Sequence, residues 1–337
     1  MRRILNDRRK MDMKKYDVTA LGELLIDFTE NGVSAQGNPL FEANPGGAPC
    51  NVLAMLAKLG YRTAFIGKIG RDCFGEQLRT AIREAGICSE YLLTDEEVHT
   101  TLAVVHTFPD GDRDFSFYRD PGADMMLRED EIQENLIRDS KIFHFGTLSM
   151  THEGVRAATK KAVRIAEESD CIISFDPNLR PPLWDSLEEA KDQVLWGLGH
   201  CHILKISDNE ITWLTGKEDY TEGVEWIGSR YHIPLILVSM GKEGSRAYYK
   251  GHIVEAAPFL RADTIETTGA GDTFCGCILA GILEKGINGL TEQDLSGMLT
   301  FANAAASVVT TRRGALKVMP SRAEIENAVK DGDRKDY

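Results

Sequence analysis

The strongest constraint on the fold is the regular alternation of short apolar segments with helical patterns. The apolar segments are hydrophobic almost throughout, at residues 18–28, 63–70, 141–146, 171–176, 201–206 and 235–240. Such segments are typical of parallel strands that are covered on both faces. Helical patterns separate them, at 50–59, 74–86, 152–168, 186–198, 208–216, 221–230, 273–285 and 291–311. The alternation predicts an α/β fold, a doubly wound, mostly parallel sheet with helices on both faces.

Two segments interrupt this alternation. Residues 29–45 are polar and rich in turn residues, and residues 99–119 are two alternating runs around a Pro-Asp-Gly-Asp turn, which is typical of a β-hairpin. We expect them to form a small β-sheet lid over a cleft, at about 29–45 and 99–120, with an ordinary surface hairpin as the alternative. Since no repeat or linker occurs, we interpret residues 16–330 as one domain with this lid.

Composition limits the classes of partner. The net charge of −13 disfavours nucleic acid and anionic membranes, although a small polyanionic substrate needs only a local positive potential. The seven cysteines are odd in number and include no C-x-x-C pair, which favours a reduced cytoplasmic protein. No segment approaches the roughly 20 apolar residues that span a bilayer. The basic, polar residues 1–15 are interpreted as a disordered start or a tag remnant.

The stretch ETTGAGDTFCGC, residues 266–277, resembles a phosphate-binding loop but fits neither common motif. The dinucleotide fingerprint G-x-G-x-x-G requires a third glycine three residues after Gly271, at position 274. The next glycine is Gly276, so that motif fails. A P-loop fails too, because Cys277 and Ile278 stand where lysine and Ser/Thr are required. A glycine turn that opens directly into a helix remains.

Such a turn makes an anion site. The amides of Ala270, Gly271 and Asp272 would point outward at the positive end of the helix, where they can bind phosphate oxygens. The Asp272 carboxylate beside them can accept a proton from an attacking hydroxyl. The alternative is that Asp272 only caps the helix and that the glycines only permit the turn.

Other polar residues follow the carboxyl ends of predicted strands, where open α/β sheets bind ligands. These residues are Asp27, the Gly46-Gly47 pair before the helix that carries Asn51, Asp176, Asn178, Arg180, Ser207, Glu210, Gly241 and Gly244. Each is weak evidence alone, since Asp and Gly are common in turns. Together they predict one rim of a cleft.

Two segments resemble the signatures of a known family. ETTGAGDTFCGCILAGIL and GGAPCNVLAMLAKLG are similar to the C-terminal and N-terminal signatures of the ribokinase-like, or PfkB-type, carbohydrate kinases, and the resemblance runs from about Asp17 to Met319. Within that family GELLIDF, FYRDPGADMML, FHFGTLSM and FDPNLRPPLW are most similar to fructokinases. The resemblance implies phosphorylation of the 6-hydroxyl of D-fructose by ATP with Mg²⁺. The alternatives are another sugar (2-keto-3-deoxygluconate, ribose or a nucleoside) or a non-catalytic sugar- or nucleotide-binding regulator.

The resemblance also implies roles for individual residues. Asp272 is the base, while Arg180 and the Gly269, Ala270 and Gly271 amides stabilise the transferring phosphoryl group. The implied sugar-binding residues are Asp27, Gly46, Gly47, Asn51, Asp272 and Arg119, the last reaching over the sugar from the lid. The implied nucleotide-binding residues are Asn178, Lys205, Ser207, Gly241, Gly244, Gly271 and Asn303. Glu210 is implied to order Mg²⁺ through water.

Two positions depart from the family pattern. The asparagine of the N-x-x-E motif is Ser207, which predicts a looser or water-filled metal shell. The aspartate that usually begins D-T-x-G-A-G-D is Glu266, at a position that contributes to a monovalent-cation site in some relatives. One extra methylene changes the reach of this side chain, so dependence on K⁺ is left open.

The lid is expected to present one apolar face. Leu102, Val104, Phe115 and Phe117 alternate along the predicted hairpin, and we expect their common face to close on the sugar or to pair with a second subunit in a homodimer.

Overall fold

The computed structural model describes residues 14–107 and 113–332. Most of the predicted N-terminal tail and the predicted Pro-Asp-Gly-Asp turn lie outside the described residues. The strands in the described part are β1 (Tyr16–Leu21), β2 (Leu25–Val33), β3 (Pro39–Gly46), β4 (Thr63–Gly70), β5 (Ile87–Cys88), β6 (Leu92–Asp95), β7 (Leu102–Thr107), β8 (Arg113–Tyr118), β9 (Ser140–Gly146), β10 (Ile172–Asp176), β11 (Ile203–Ser207), β12 (Leu235–Ser239), β13 (Ser245–Tyr249) and β14 (His252–Ala256).

Helices connect most of these strands. They are α1 (Ala48–Lys58), α2 (Cys73–Glu84), α3 (Glu134–Arg138), α4 (Glu153–Glu168), α5 (Leu187–Leu198), α6 (Asp208–Thr215), α7 (Tyr220–Gly228), α8 (Ala270–Lys285), α9 (Glu292–Val309) and α10 (Arg322–Gly332). No helix in residues 14–107 and 113–332 is long and apolar enough to cross a membrane. All seven cysteines lie in this range, and none forms a disulfide.

The main sheet has the predicted doubly wound form. Its strand order is β14-β13-β12-β11-β10-β9-β1-β4-β5, and β6 also pairs with β4. In this order, all strands from β12 through to β5 run parallel. Parallel neighbours need crossover connections, and helices provide them here. One buried cluster includes residues of α1, α8 and α9, and a separate cluster includes residues of α4 to α7. The predicted fold class is therefore confirmed.

The segment 18–28 is not one strand, as predicted, but two strands in different sheets. β1 pairs with β4 and β9 of the main sheet, whereas β2 pairs with β3 and β7 of a smaller sheet. The chain leaves the main sheet at Gly22, where a Cβ atom would lie 2.5 Å from the Pro49 Cγ atom. Both halves are buried, so hydrophobicity continues across the break and conceals it.

The sequence pattern did not predict four strands, β5, β6, β13 and β14, or two helices, α3 and α10. β13 and β14 form an antiparallel hairpin beside β12, and β14 is largely exposed. An exposed edge strand lacks the continuous hydrophobicity by which the central strands were recognised. The helices α3 and α10 bury few residues and therefore also give weak patterns.

The smaller sheet has the order β3-β2-β7-β8 and is formed by the two segments that interrupt the alternation. The register of β7 and β8 shows that the prediction of one common apolar face was wrong. Leu102 pairs with Tyr118 and Ala103 pairs with Phe117, and directly paired residues share a face of the sheet. Phe117 therefore lies on the opposite face from Leu102 and Val104. The side chain of Phe115 lies outside the described ones.

Candidate active site

A cavity of about 320 Å³ lies between the smaller sheet and the carboxyl ends of the main strands. The predicted residues that line it are Asp27, Gly47, Asn51, Asn178, Arg180, Lys205, Gly269, Gly271 and Asp272. Phe117, which was expected in the lid, lines it as well, and the lining residues that were not predicted are Glu23, Leu25, Ala48, Leu148, Thr267 and Thr268. The fold thus gathers residues from distant parts of the chain into one concave site.

Two helices begin at this cavity, and each follows a glycine with positive φ. Gly47 precedes α1 with φ 124°, and Gly269 precedes α8 with φ 76°. At Gly47 a Cβ atom would lie 2.4 Å from the Glu23 carbonyl oxygen, so no side chain fits there. The amino ends of both helices therefore direct positive potential towards the cavity, an arrangement that suits an anion.

Close packing of α1 and α8 brings Asn51 to Asp272. A Cβ atom on Gly276 would lie 2.8 Å from the Met55 Cβ atom and 3.0 Å from the Val52 carbonyl oxygen. The glycine that does not fit the dinucleotide motif thus permits contact between the helices. As a result, Asn51 Nδ2 donates a hydrogen bond of 2.8 Å to Asp272 Oδ2. The Asn51 Oδ1 atom is buried and has no hydrogen-bond partner in the described residues.

Burial raises the pKa of Asp272, although the hydrogen bond from Asn51 and the charges of Lys205 and Arg180 oppose the shift. A raised pKa makes this carboxylate a better proton acceptor near neutral pH. The side chain combines this property with a position beside the helix terminus, which is the arrangement that a general base for an alcohol requires.

Two further carboxyl groups line the cavity, those of Asp27 and Glu23. Burial raises the pKa of Asp27 to about 7, and burial also raises the pKa of Glu23 to about 7. At Gly46 a Cβ atom would lie 2.2 Å from Asp27 Oδ2, so this glycine leaves room for the carboxylate. Glu23 Oε1 accepts a hydrogen bond of 2.7 Å from the Ala48 N–H. Glu23 is a charged residue inside the largely apolar segment 18–28, and this unusual position is the sequence signal that could have identified it.

Lys205 supplies positive charge near the α8 terminus. Its Nζ atom lies 3.0 Å from Asp176 Oδ2, and both side chains are buried. Burial opposes the Lys205 charge, but Asp176 and Glu210 outweigh this effect and raise its pKa. A Cβ atom on Gly271 would lie 3.2 Å from the same Nζ atom, so the ammonium group stands close to the glycine turn. The ammonium group and the turn together suit phosphate oxygens.

Glu210 holds the loop that carries Arg180. Glu210 Oε1 accepts from the Leu179 N–H at 2.7 Å, and Oε2 accepts from the Ser207 N–H and hydroxyl, both at 2.8 Å. Ser207 therefore closes a capping box at the start of α6. Ser207 thus donates directly to Glu210 without a metal ion. The predicted looser or water-filled metal shell at this position stays a prediction. In residues 14–107 and 113–332 no group of three or more His, Cys, Asp or Glu residues could hold a metal ion.

Four predicted nucleotide-side residues do not line the cavity. Gly241 and Gly244 form a turn after β12, and Ser207 caps α6. Asn303 accepts a hydrogen bond from the Ser245 hydroxyl and donates to the carbonyl oxygens of Ala256 and Ala257. All four lie at or near the end of the sheet that holds β11 to β14, and their roles towards a nucleotide stay predictions.

Arg119 and Glu266 are also not among the residues that line the cavity. Arg119 is not an exposed lid charge: its side chain is 2% exposed and pairs with Asp124 at 2.7 Å. The buried Glu266 carboxylate accepts a hydrogen bond of 2.8 Å from the Gly314 N–H. The predicted contact of Arg119 with sugar and the predicted cation at Glu266 stay untested.

The chain is similar to known proteins over most of its length. The profile of the pfkB family carbohydrate kinases matches residues 15–322. A probable fructokinase from Arabidopsis thaliana is 39% identical over 319 residues, which cover 94% of this chain and 98% of the relative.

Two solved structures are also similar to this chain. A fructokinase from Xylella fastidiosa with bound ATP has a TM-score of 0.85 at 28% identity, covering 94% of this chain and 99% of that one. A fructokinase double mutant from Vibrio cholerae O395, with fructose, ADP and potassium ion bound, has a TM-score of 0.82 at 25% identity, covering 94% and 99%. The predicted ribokinase-like fold is thereby confirmed.

Proposed function

The chain belongs to the pfkB family of carbohydrate kinases, and we propose that it transfers the γ-phosphoryl group of ATP to the 6-hydroxyl of D-fructose. The observation that carries the proposal is the Asp272 carboxylate, held by Asn51 at the amino terminus of α8 and beside the cavity. The fructokinase relatives and the fructokinase structures with ATP or fructose support this choice of substrates.

In the proposed reaction Asp272 accepts the proton of the sugar hydroxyl as its oxygen attacks the γ-phosphorus. A new O–P bond forms, the bond between the γ-phosphorus and the β,γ-bridging oxygen breaks, and ADP leaves with the electron pair. The Gly269–Gly271 turn, Lys205 and Arg180 stabilise the negative charge on the transferring group. Asp27 binds sugar hydroxyls with its two carboxylate oxygens, and Asn51 orients the base.

We propose Mg²⁺ as the metal that accompanies ATP. The residues fit an ion carried by phosphate oxygens and water, because no group of three or more His, Cys, Asp or Glu in the described residues could hold a metal ion and Glu210 is engaged by three donors. Mg²⁺ would neutralise phosphate charge, and Glu210 would order its water. A cytoplasmic location is also proposed, since seven free thiols are compatible with a reducing compartment.

A sugar panel tests the proposed substrate. Purified protein with Mg-ATP is given fructose, ribose, 2-keto-3-deoxygluconate or a nucleoside, and ADP release is measured. Phosphorus NMR then locates the new phosphate. We expect the highest kcat/KM with fructose and a product phosphorylated at carbon 6. A stronger signal from another sugar contradicts the proposed substrate, and sugar binding without ADP release contradicts the kinase activity.

A further inference from the structure

One buried carboxylate holds both ends of the lid hairpin. The hairpin strands are β7 and β8, and the residues just outside them are Thr101 and Arg119. The Thr101 hydroxyl donates to Asp124 Oδ1. Arg119 donates to Asp124 Oδ2 through Nε at 2.9 Å and Nη2 at 2.7 Å. The single side chain of Asp124 therefore closes the base of the hairpin.

The packing around this contact leaves no room for a side chain at position 122. A Cβ atom on Gly122 would lie 1.8 Å from the Thr101 hydroxyl oxygen and 2.9 Å from Asp124 Oδ1. The Arg119 and Asp124 side chains are each 2% exposed. In a buried site, both oxygens of a carboxylate must be satisfied, and here the two hairpin ends provide the donors.

The same contacts reach the cavity wall. Arg119 Nη2 also donates to the Leu148 carbonyl oxygen at 2.9 Å, and Nη1 donates to the Thr151 hydroxyl at 2.8 Å. Leu148 lines the cavity, as does Phe117, which precedes Arg119 by two residues. Asp124 and Arg119 themselves do not line it. A shift of Arg119 would consequently move two apolar residues of the wall.

We infer that Asp124 is a positioning residue that fixes the lid hairpin over the cavity and sets the positions of Phe117 and Leu148 against the sugar. The inference rests on the proposed sugar kinase function for its effect on catalysis. Its structural part, the closure of the hairpin base, does not depend on which sugar binds.

Three variants test this role with different degrees of disturbance. Thr101→Val removes one donor without leaving a buried charge, and Thr101→Ser restores the hydroxyl. Asp124→Asn removes the charge and turns an amide N–H₂ towards one of the donors. Asp17→Asn is the control, because it breaks the Asp17–Arg62 ion pair at the start of β1, away from the cavity.

The first readout is steady-state kinetics. Thr101→Val and Asp124→Asn should raise the KM for sugar about tenfold, with kcat and the KM for ATP changed by less than about threefold, since a small displacement of the wall weakens sugar positioning. Thr101→Ser should restore the KM. Asp17→Asn should lower the melting temperature and leave the KM for sugar unchanged.

Amide hydrogen exchange of the full chain is the second readout and needs no sugar. Faster exchange in 102–107 and 113–118, with unchanged exchange in 172–176, is expected for Thr101→Val and Asp124→Asn. Unchanged exchange in the hairpin together with an unchanged KM would overturn the inference. If wild type phosphorylates no sugar of the panel, the proposed function fails, and the exchange experiment alone decides whether Asp124 closes the hairpin.

Discussion

At the scale of single residues, the candidate site depends on carboxyl groups that are partly or fully removed from water. Asp272, Asp27 and Glu23 all have raised pKa values, and desolvation is the main cause in each case. Their surroundings differ, however. Asn51 binds Asp272, the Ala48 N–H binds Glu23, and Asp27 stands beside Gly46. These differences allow separate roles for the same chemical group.

Asp272→Asn tests the base. The amide keeps the size of the side chain but cannot accept the hydroxyl proton, so kcat should fall about 10²–10⁴-fold while sugar binding is retained. Stopped-time ADP assays and calorimetric sugar titrations measure the two quantities. Asp263→Asn, at an exposed aspartate in the segment before α8, should have wild-type kinetics. Near wild-type turnover of Asp272→Asn would exclude a base role.

Glu23→Gln tests the linkage between burial and pH. A carboxyl group with a folded pKa of about 7 binds more protons in the native state than in the unfolded state, so its contribution to stability is lost as the pH rises from about 4 to about 7. Glutamine does not titrate and can still accept from Ala48. The free energy of unfolding of the variant minus that of wild type should therefore be larger at about pH 8 than at about pH 5. Urea unfolding at both pH values measures this difference, and an equal effect at both would contradict the raised pKa.

At the scale of elements, the geometry of the candidate site follows from the packing of α1 on α8. Each helix begins at the cavity after a glycine with positive φ, and Gly276 brings the two helices together. Because Asn51 and Asp272 lie near the two helix starts, the distance between them depends on this packing. The local sequence can place each helix terminus but does not specify how far apart the helices lie.

Gly276→Ala should disturb that packing. The added methyl group would meet Met55 and the Val52 backbone at 3.0 Å or less, so the free energy of unfolding should fall by about 1–3 kcal/mol. Separation of the helices should also lower kcat by lengthening the Asn51–Asp272 contact. Gly297→Ala is the matched control, since no atom lies within 4 Å of its added methyl group and alanine favours a helix by up to about 1 kcal/mol. Equal effects of both variants on kcat would argue against this explanation.

At the scale of the whole molecule, the smaller sheet leaves large apolar side chains exposed. Val33, Leu40, Phe41 and Tyr118 are 63%, 47%, 44% and 66% exposed, and all lie in strands of this sheet. The register through β2 and β7 places Phe41 and Tyr118 on the same face of this sheet, and exposed aromatic groups on one face suit an association surface. We therefore propose a homodimer formed through the smaller sheet.

Phe41→Ser and Tyr118→Ser should weaken this dimer. Loss of buried aromatic area should raise the dimer dissociation constant by about tenfold or more, since aromatic residues dominate such interfaces. Sedimentation velocity over a concentration series measures the constant. Leu260→Ser, at an apolar residue that is 66% exposed outside the sheet, should leave it unchanged. A monomeric wild type at all concentrations contradicts the proposal.

The sequence alone determined the fold class and the candidate base, because both depend on local patterns. Parallel strands that are buried on both faces must be apolar throughout, which identified segments such as 63–70, a strand with the same limits in the structure. A helix that starts at a glycine turn needs few residues, so the sequence alone identified Gly269 to Asp272 as a candidate anion site. The two glycine-led signatures then indicated the family.

Tertiary structure decided what depends on contacts between distant residues. It divided the segment 18–28 between two sheets and placed Phe117 on the opposite lid face from Leu102. It also buried Arg119 against Asp124 and Glu266 against Gly314. A side chain's charge and spacing show what it can bind, but burial and the available partners are set by segments far away in sequence, as the separation of 221 positions between Asn51 and Asp272 illustrates. Local patterns therefore specify chemistry and secondary structure, whereas packing specifies which groups meet.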